Sequence, residues 1–511
     1  MNEGWLLAGD FNDIASIDEK KRGAKVSVRK CNKFQERINN CNLLDMGAMG
    51  YKYTWRGPLF HGGQHIFERL DRALCNEKWR LVFPDGVVRV LARLDFSDHH
   101  PILITPKNVP HPVASRQFRF ESAWLMDNTY NDMLASSWKQ DKSVVQNLSN
   151  VQNDLKRWKF QTFEQVLRKK KEIMARIEGI QRSIQSATNS RGRWRLEYKL
   201  QSELRDILRK EELMWFQRSR AKWLADGDRN TRYYHLKTIN RRRRNNILML
   251  KNADGQWIEE VAQLQRMVNE FYQHLFLANH NNMDWIQTTI TYPCLDENEI
   301  DALAAPITND EVKNALFEMS PWKAPGPDGF PAGFYQKSWN IVGDTMCNFV
   351  RRVWDFPSEI GMVNKTDICL IPKVPHPEVV TQFRPISLCN TNYKIVSKVL
   401  VERLKTCIPL LISPYQTGFV PGRNIHENIV VAKEMIHTMN RMRGNKGVFA
   451  IKVDLSKAYD KLSWNFIWRV LNEIKLPDKM VNVVMHAITS VETNVKWNGA
   501  RSDFFRPQRG I

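Results

Sequence analysis

Between Phe449 and Asp460 the chain reads Phe-Ala-Ile-Lys-Val-Asp-Leu-Ser-Lys-Ala-Tyr-Asp, and no other stretch constrains the fold as tightly. Apolar side chains at Phe449, Ile451 and Val453 alternate with smaller or polar ones, the pattern of a β-strand with one buried face. That strand delivers the carboxylate of Asp454 to its end. Tyr459 follows five residues later, and Trp464, Ile467, Trp468 and Leu471 then fall at helical spacing. A carboxylate at a strand end suits Mg²⁺, which takes oxygen ligands and shares them with substrate phosphates. Two-metal phosphoryl transfer needs more than one such carboxylate. No second acidic strand-turn stands between Asp460 and Ile511, so one carboxylate of a larger set is the expectation.

Four further blocks precede this one. They are Lys323-Ala-Pro-Gly-Pro-Asp-Gly-Phe330, Leu370-Ile-Pro-Lys373, Phe383-Arg-Pro-Ile-Ser-Leu388 and Pro414-Tyr-Gln-Thr-Gly-Phe-Val-Pro-Gly-Arg423. In order and spacing the five blocks resemble the reverse transcriptase of plant LINE-type (non-LTR) retrotransposons, over roughly the last two hundred residues. The resemblance implies the fingers and part of the palm of a right-handed polymerase, and RNA-directed DNA synthesis with Mg²⁺ and deoxynucleoside triphosphates. It implies that Asp454 is catalytic and binds metal. Lys373 and Arg384 grip the incoming triphosphate, as a Lys and an Arg can neutralise shifting phosphate charge. Tyr459 packs under the sugar and rejects a 2′-hydroxyl; by composition alone it is an ordinary core aromatic. Asp460 bonds locally in the turn. The family's remaining metal carboxylates sit in a Tyr/Phe-Ala-Asp-Asp turn absent from these residues. The metal site is therefore expected to be incomplete here, the Asp454 strand to lack partners, and the chain to be inactive alone.

The totals fit a polyanionic partner. Across 511 residues the net charge is +21, with a pI near 9.6. Residues 151–250 hold 26 Lys and Arg against 11 Asp and Glu, so most of the excess lies in one hundred residues. Spread evenly, the same charge would merely solubilise. No pair of the eight cysteines has CxxC spacing, which indicates neither a zinc knuckle nor a redox pair. The N-terminus lacks the features of a signal peptide, and no run approaches a membrane span, so a nuclear or cytoplasmic location is expected.

Near the start, Trp5-Leu-Leu-Ala-Gly-Asp-Phe-Asn12 reads as a strand ending in a polar turn. The plain alternative is an Asx turn closing that strand. Glu68-Arg-Leu-Asp-Arg-Ala-Leu74 and Phe96-Ser-Asp-His-His-Pro-Ile102 shift the balance. Together the three segments resemble the C-terminal half of the endonuclease/exonuclease/phosphatase domain found in the same elements. That implies His99 as general base or transition-state stabiliser, with Asp71 orienting its imidazole. Asp98 helps hold metal, while Asp10 and Asn12 contact the reacting phosphate. Arg56, Arg69 and Trp55 read as structural or DNA-surface residues. The metal-binding glutamate of that family has no counterpart here, so nicking is expected to be absent and the region poorly stable.

From Leu155 to Phe216 the pattern is helical. Ile173, Ile177, Ile180 and Ile184 form one stripe, the run 186–192 breaks it, and Leu200, Leu204, Ile207 and Leu208 form another. An antiparallel helical hairpin is expected. Beyond it, cations alternate with aromatics through Trp223 and Tyr233 to Arg241, Arg242, Arg243 and Arg244. Charges can track phosphates while rings stack on bases, so RNA or DNA contact is favoured over a merely solvated face. Asp254-Gly-Gln-Trp257 reads as a hairpin turn, 260–276 as an amphipathic helix, and 308–319 as a helix capped by Thr308 with Glu311 closing the box.

The expected architecture is α+β in three parts. Residues 1–110 form a partial α/β sandwich, 111–300 a helical basic linker, and 301–511 the fingers and incomplete palm. The alternative function is a remnant that binds RNA or DNA only through its basic middle.

Overall fold

The computed structural model describes residues 3–60, 64–93, 97–106, 117–162, 166–185, 191–219, 231–278, 292–443 and 447–511. The chain is mixed α and β, and its strands form small separate sheets.

Among the described residues up to Thr105 there are three three-stranded sheets. In the first, Asp71–Asn76 is central, flanked by Leu6–Asp10 and Leu43–Asp45, all antiparallel. Leu6–Asp10 is an edge, and Leu6 and Leu7 on it remain exposed. The apolar cores here are small: Met46, Ala73, Cys75, Trp79 and Val88 make one, Phe34, Ile38 and Leu74 another. Charge supplements them. Arg69 pairs with Glu19 at 2.8 Å and Asp45 at 3.0 Å, and Arg72 with the same two carboxylates at 2.7 and 3.2 Å. Both arginines are buried, so Arg69 serves the interior of this region.

The helical hairpin is present. Val166–Gln185 and Arg191–Ser219 run antiparallel, packed through Ile173, Ile177 and Leu200 and tied by Lys170 to Glu211 at 2.6 Å. The break expected at 186–192 falls mostly outside the described residues. The short hairpin Leu250–Lys251/Trp257–Ile258 and the helix Val261–Phe276 are also found. So is the helix Asn309–Phe317. Its amide at Glu311 donates to Thr308 Oγ1, and the Thr308 amide donates back to the Glu311 carboxylate.

The largest core joins distant stretches. Phe120, Trp124, Tyr130, Leu134 and Trp158 pack with side chains from 303–400 and from 476–487. A second core lies under the four-stranded sheet. Its order is Phe383–Cys389, Lys365–Pro372, Glu492–Trp497, Ala500–Arg501, with the middle pair parallel. Helix Val261–Phe276 covers it through Leu264, Val268 and Tyr272.

The alternating stretch at 449–453 is not a strand. It is irregular, and Phe449, Ile451 and Val453 are 83, 75 and 76% exposed. A strand exists only by exchanging hydrogen bonds with a neighbour. Among the described residues no strand lies alongside it, so the pattern has nothing to pair with. Among the described residues no helix is long and apolar enough to cross a membrane.

Candidate functional site

Sheet register assembles the first cluster. Asp10 ends its strand directly opposite Asp71. An isolated bridge between Trp55 and His99 brings the 97–100 segment against the same end. There His99 Nδ1 donates to Asp71 Oδ2 at 2.8 Å. Burial disfavours the imidazolium, but the Asp71 hydrogen bond and the charges of Asp71, Asp10 and Asp98 outweigh it, so the His99 pKa is raised. Asp98 accepts from Trp55 Nε1 at 2.9 Å, which lowers its pKa. Asn12, with φ 51°, donates its amide to Asp10 Oδ1 at 2.9 Å. The Asx turn is therefore formed as well. Of the residues singled out by sequence, Asp10 lies opposite Asp71 and Asp71 bonds His99, while Asn12 is tied to Asp10 and Asp98 to Trp55.

The basic stretch divides. Trp223 and the Arg243 side chain lie outside the described residues. Arg241 points inward: its guanidinium donates to the carbonyls of Arg218 at 2.7 Å and Ser219 at 3.4 Å, at the end of helix Arg191–Ser219. Burial, with Arg242 and Arg119 nearby, lowers its pKa. Sequence reading placed Arg241 on the nucleic-acid surface; the structure turns it inward onto the backbone of helix Arg191–Ser219, where its guanidinium serves two carbonyls. Arg242 and Arg244 are exposed. Tyr233 is exposed too, with Lys237 Nζ 5.3 Å from its ring centroid.

The third cluster lies beside the four-stranded sheet. Lys373 follows strand Lys365–Pro372; its amide donates to the Gln382 carbonyl at 2.8 Å and its Nζ to the Thr381 carbonyl at 3.1 Å. Arg384 sits on the returning strand opposite Ile371, exposed. Across from this hairpin is the turn 457–461. Lys457, in the left-handed region at φ 55°, puts Nζ 4.3 Å from the Phe271 ring centroid. Burial raises the Asp460 pKa, against the pull of Lys457 and Lys373. The turn is strapped by the C-terminal segment. The Gly510 amide donates to the Leu462 carbonyl, the Ile511 amide to the Tyr459 carbonyl, and Trp464 Nε1 to the Gly510 carbonyl. A Cβ on Gly510 would stand 2.7 Å from the Asp460 carbonyl oxygen. Tyr459 is exposed, its ring perpendicular to that of Phe419 at 6.5 Å. Thus the charge of Lys373 is felt at Lys457 and Asp460, two residues that sequence reading left without a binding role. Both lie inside the motif it began from. Asp454 joins none of these clusters: it is exposed in the irregular stretch.

One carboxyl was missed altogether. Asp328, in the Gly-Pro-Asp-Gly turn, is partly exposed as a residue but its Oδ2 is shielded from solvent, and that desolvation pushes its pKa up to about 7. Its Oδ1 accepts from the Phe330 amide at 3.0 Å, and its own amide donates to Asn390 Oδ1 at 3.0 Å. Gly329, at φ 83°, has room for no Cβ beside the Phe118 carbonyl oxygen.

Residues 371–508 match the family described as reverse transcriptase (RNA-dependent DNA polymerase). The transposon TX1 uncharacterized 149 kDa protein of Xenopus laevis is 23% identical over 518 residues, covering 97% of this chain and 38% of that protein. The retrovirus-related Pol polyprotein from type-1 retrotransposable element R2 of Nasonia vitripennis is 26% identical over 42% of this chain and 20% of its own length. That of type-2 element R2DM of Drosophila melanogaster is 23% identical over the same shares. The chain thus spans about two fifths of the first relative and a fifth of the other two.

Proposed function

We propose, for this chain, a retrotransposon-derived reverse-transcriptase-like protein of the LINE type, that residues 371–508 contact template and incoming nucleotide in RNA-directed DNA synthesis. The match of residues 371–508 to the reverse transcriptase family supports the reading, with Lys373, Arg384 and Tyr459 all exposed within that span and the charge of Lys373 felt at Asp460 in the Tyr459 turn. In this reading Lys373 and Arg384 neutralise triphosphate charge, and Tyr459 packs under the sugar. Preorganised cations are effective there because they need no reorganisation as charge shifts.

Reverse transcriptases generally depend on a divalent metal, and Asp454 is the expected Mg²⁺ ligand. Among the described residues no three His, Cys, Asp or Glu side chains are grouped to hold an ion. The residues present do not fit a two-metal site, and the function proposed for them is binding alone. The full chain is expected to hold an RNA–DNA primer–template, with nucleotide tightening the complex and Lys373→Ala abolishing the tightening.

In the N-terminal region we assign His99 as base, oriented by Asp71, with Asp10 and Asn12 toward a phosphate and Asp98 toward a metal. The 2.8 Å His99–Asp71 bond favours this. Without a grouped metal-donor set, plasmid nicking should stay at background. Mg²⁺-dependent nicking lost on His99→Ala would overturn that expectation.

A second reading, RNA or DNA binding through the basic middle alone, draws on the exposed Arg242, Arg244 and Tyr233. Under it, nucleotide has no effect on affinity and Lys373→Ala changes nothing.

A further inference from the structure

The loop after Lys373 leaves its own part of the molecule. In Val374–Glu378, Nδ1 of His376 donates to the carbonyl of Ala48, 3.0 Å away in the N-terminal region. The ring is half-buried there. Burial, with Arg69 and Lys52 nearby, lowers the His376 pKa against the pull of the Ala48 hydrogen bond and the charge of Asp45.

Two more contacts belong to the same joint. The Lys251 amide donates to the Glu378 carbonyl at 2.7 Å, and Lys251 Nζ pairs with the Glu378 carboxylate at 2.7 Å. This ties the 250–258 hairpin to the loop. On its other side the hairpin meets the N-terminal region: the Trp257 ring stands edge-on to Tyr51 at 6.3 Å, and Glu259 pairs with Arg89 at 3.1 Å. The Arg89 pair is partly exposed and contributes little. The His376 bond and the ring contact carry the joint.

We propose that the N-terminal region braces the 365–389 hairpin. It grips the loop through Ala48 and, through Tyr51, the small hairpin wedged beside it. The loop from Lys373 to Gln382 is also held by the backbone bond at its base, the Lys373 side chain, the Glu378 and Val379 amides donating to Gln382 Oε1, and buried Val380. Anchoring its tip removes conformational freedom from the segment that carries Lys373. This role needs no nicking chemistry. That the braced lysine serves a nucleotide rests on the function proposed above; the brace itself does not.

The test is hydrogen exchange on the full 511-residue chain, followed at 373–384. His376→Ala should speed exchange there about fivefold, the effect of one lost hydrogen bond, and leave the Asp71–Asn76 strand unchanged. His376→Asn, whose amide nitrogen falls near the place of Nδ1, should restore protection. Tyr51→Ala, in the other part of the chain, should act in the same direction as His376→Ala. Unchanged protection at 373–384 in both variants overturns the brace. So does a rise spread evenly over the chain, which marks a general loss of stability. Lys373→Ala separates the two ideas: if nucleotide tightening survives in it while the exchange results hold, the nucleotide reading fails and the brace stands.

Discussion

Asp328 keeps one carboxyl oxygen where water does not reach. One oxygen takes the Phe330 amide, while the other is buried with no donor among the described residues. Its folded pKa, about 7, lies above the ordinary value of 3.8. Between those values the folded state holds a proton that the unfolded state has released, so stability falls as pH rises from about 4 to 7. The full effect is of the order of 4 kcal/mol at most. Asp328→Asn should remove this part of the pH dependence, so that the variant gains on wild type at pH 8 relative to pH 5. Urea unfolding at the two pH values checks it, and equal gaps at both would refute the buried acid. The Arg69, Arg72 and Glu19 group is the opposite case, buried charges paired with one another and with the partly exposed Asp45. Arg72→Met leaves carboxylates short of a partner and should cost about 3–5 kcal/mol, read from thermal unfolding of the N-terminal region. A loss below about 1 kcal/mol would mean that water already screens the pair.

Among the elements, those read correctly from sequence were the ones whose cause is local. The Thr308–Glu311 box caps the helix directly after it, and the isoleucine stripe finds its partner in the next helix along. The stretch 449–453 failed because a strand is a property of two segments, and alternation describes only one. It now makes a prediction of its own. Ile451→Ser and Val453→Ser should each change stability by no more than about 0.5 kcal/mol, as exposed sites do. A loss above about 2 kcal/mol would show that the stretch is buried in solution. The site was half legible for the same reason. His99, Asp71 and Asp10 could be grouped because their segments resemble a known arrangement. No local signal told that the charge of Lys373 would reach Asp460, or that Arg241 would turn inward onto a neighbouring helix. Hence Arg241→Ala should cost about 1 kcal/mol of stability, one hydrogen-bonding group's worth, and leave RNA affinity nearly unchanged. Arg244→Ala should spare stability and make the salt dependence of RNA binding shallower by about one phosphate contact. Parallel unfolding and binding titrations decide between these assignments, and the reverse pattern would return Arg241 to the surface.

Across the whole molecule, charge and connectivity agree. An excess of +21 suits a polyanion. The largest core draws residues near 120–158 together with 303–400 and 476–487, so the stretch before the basic helices belongs physically with the segments beyond them. Sequence order could not reveal this, since the apolar residues of 120–158 do not say which partner buries them. His376 adds a second long-range tie, from the 365–389 hairpin to the N-terminal region. If the function proposed for it is right, this assembly engages a primer–template and a nucleotide through the cluster around Lys373. Equilibrium binding of the full chain to an RNA–DNA primer–template, titrated over salt with and without the complementary deoxynucleoside triphosphate, examines that engagement itself. Affinity should fall steeply with salt, rise with the matching nucleotide, and lose that rise in Lys373→Ala. Binding indifferent to nucleotide, with Lys373→Ala indistinguishable from wild type, would contradict it.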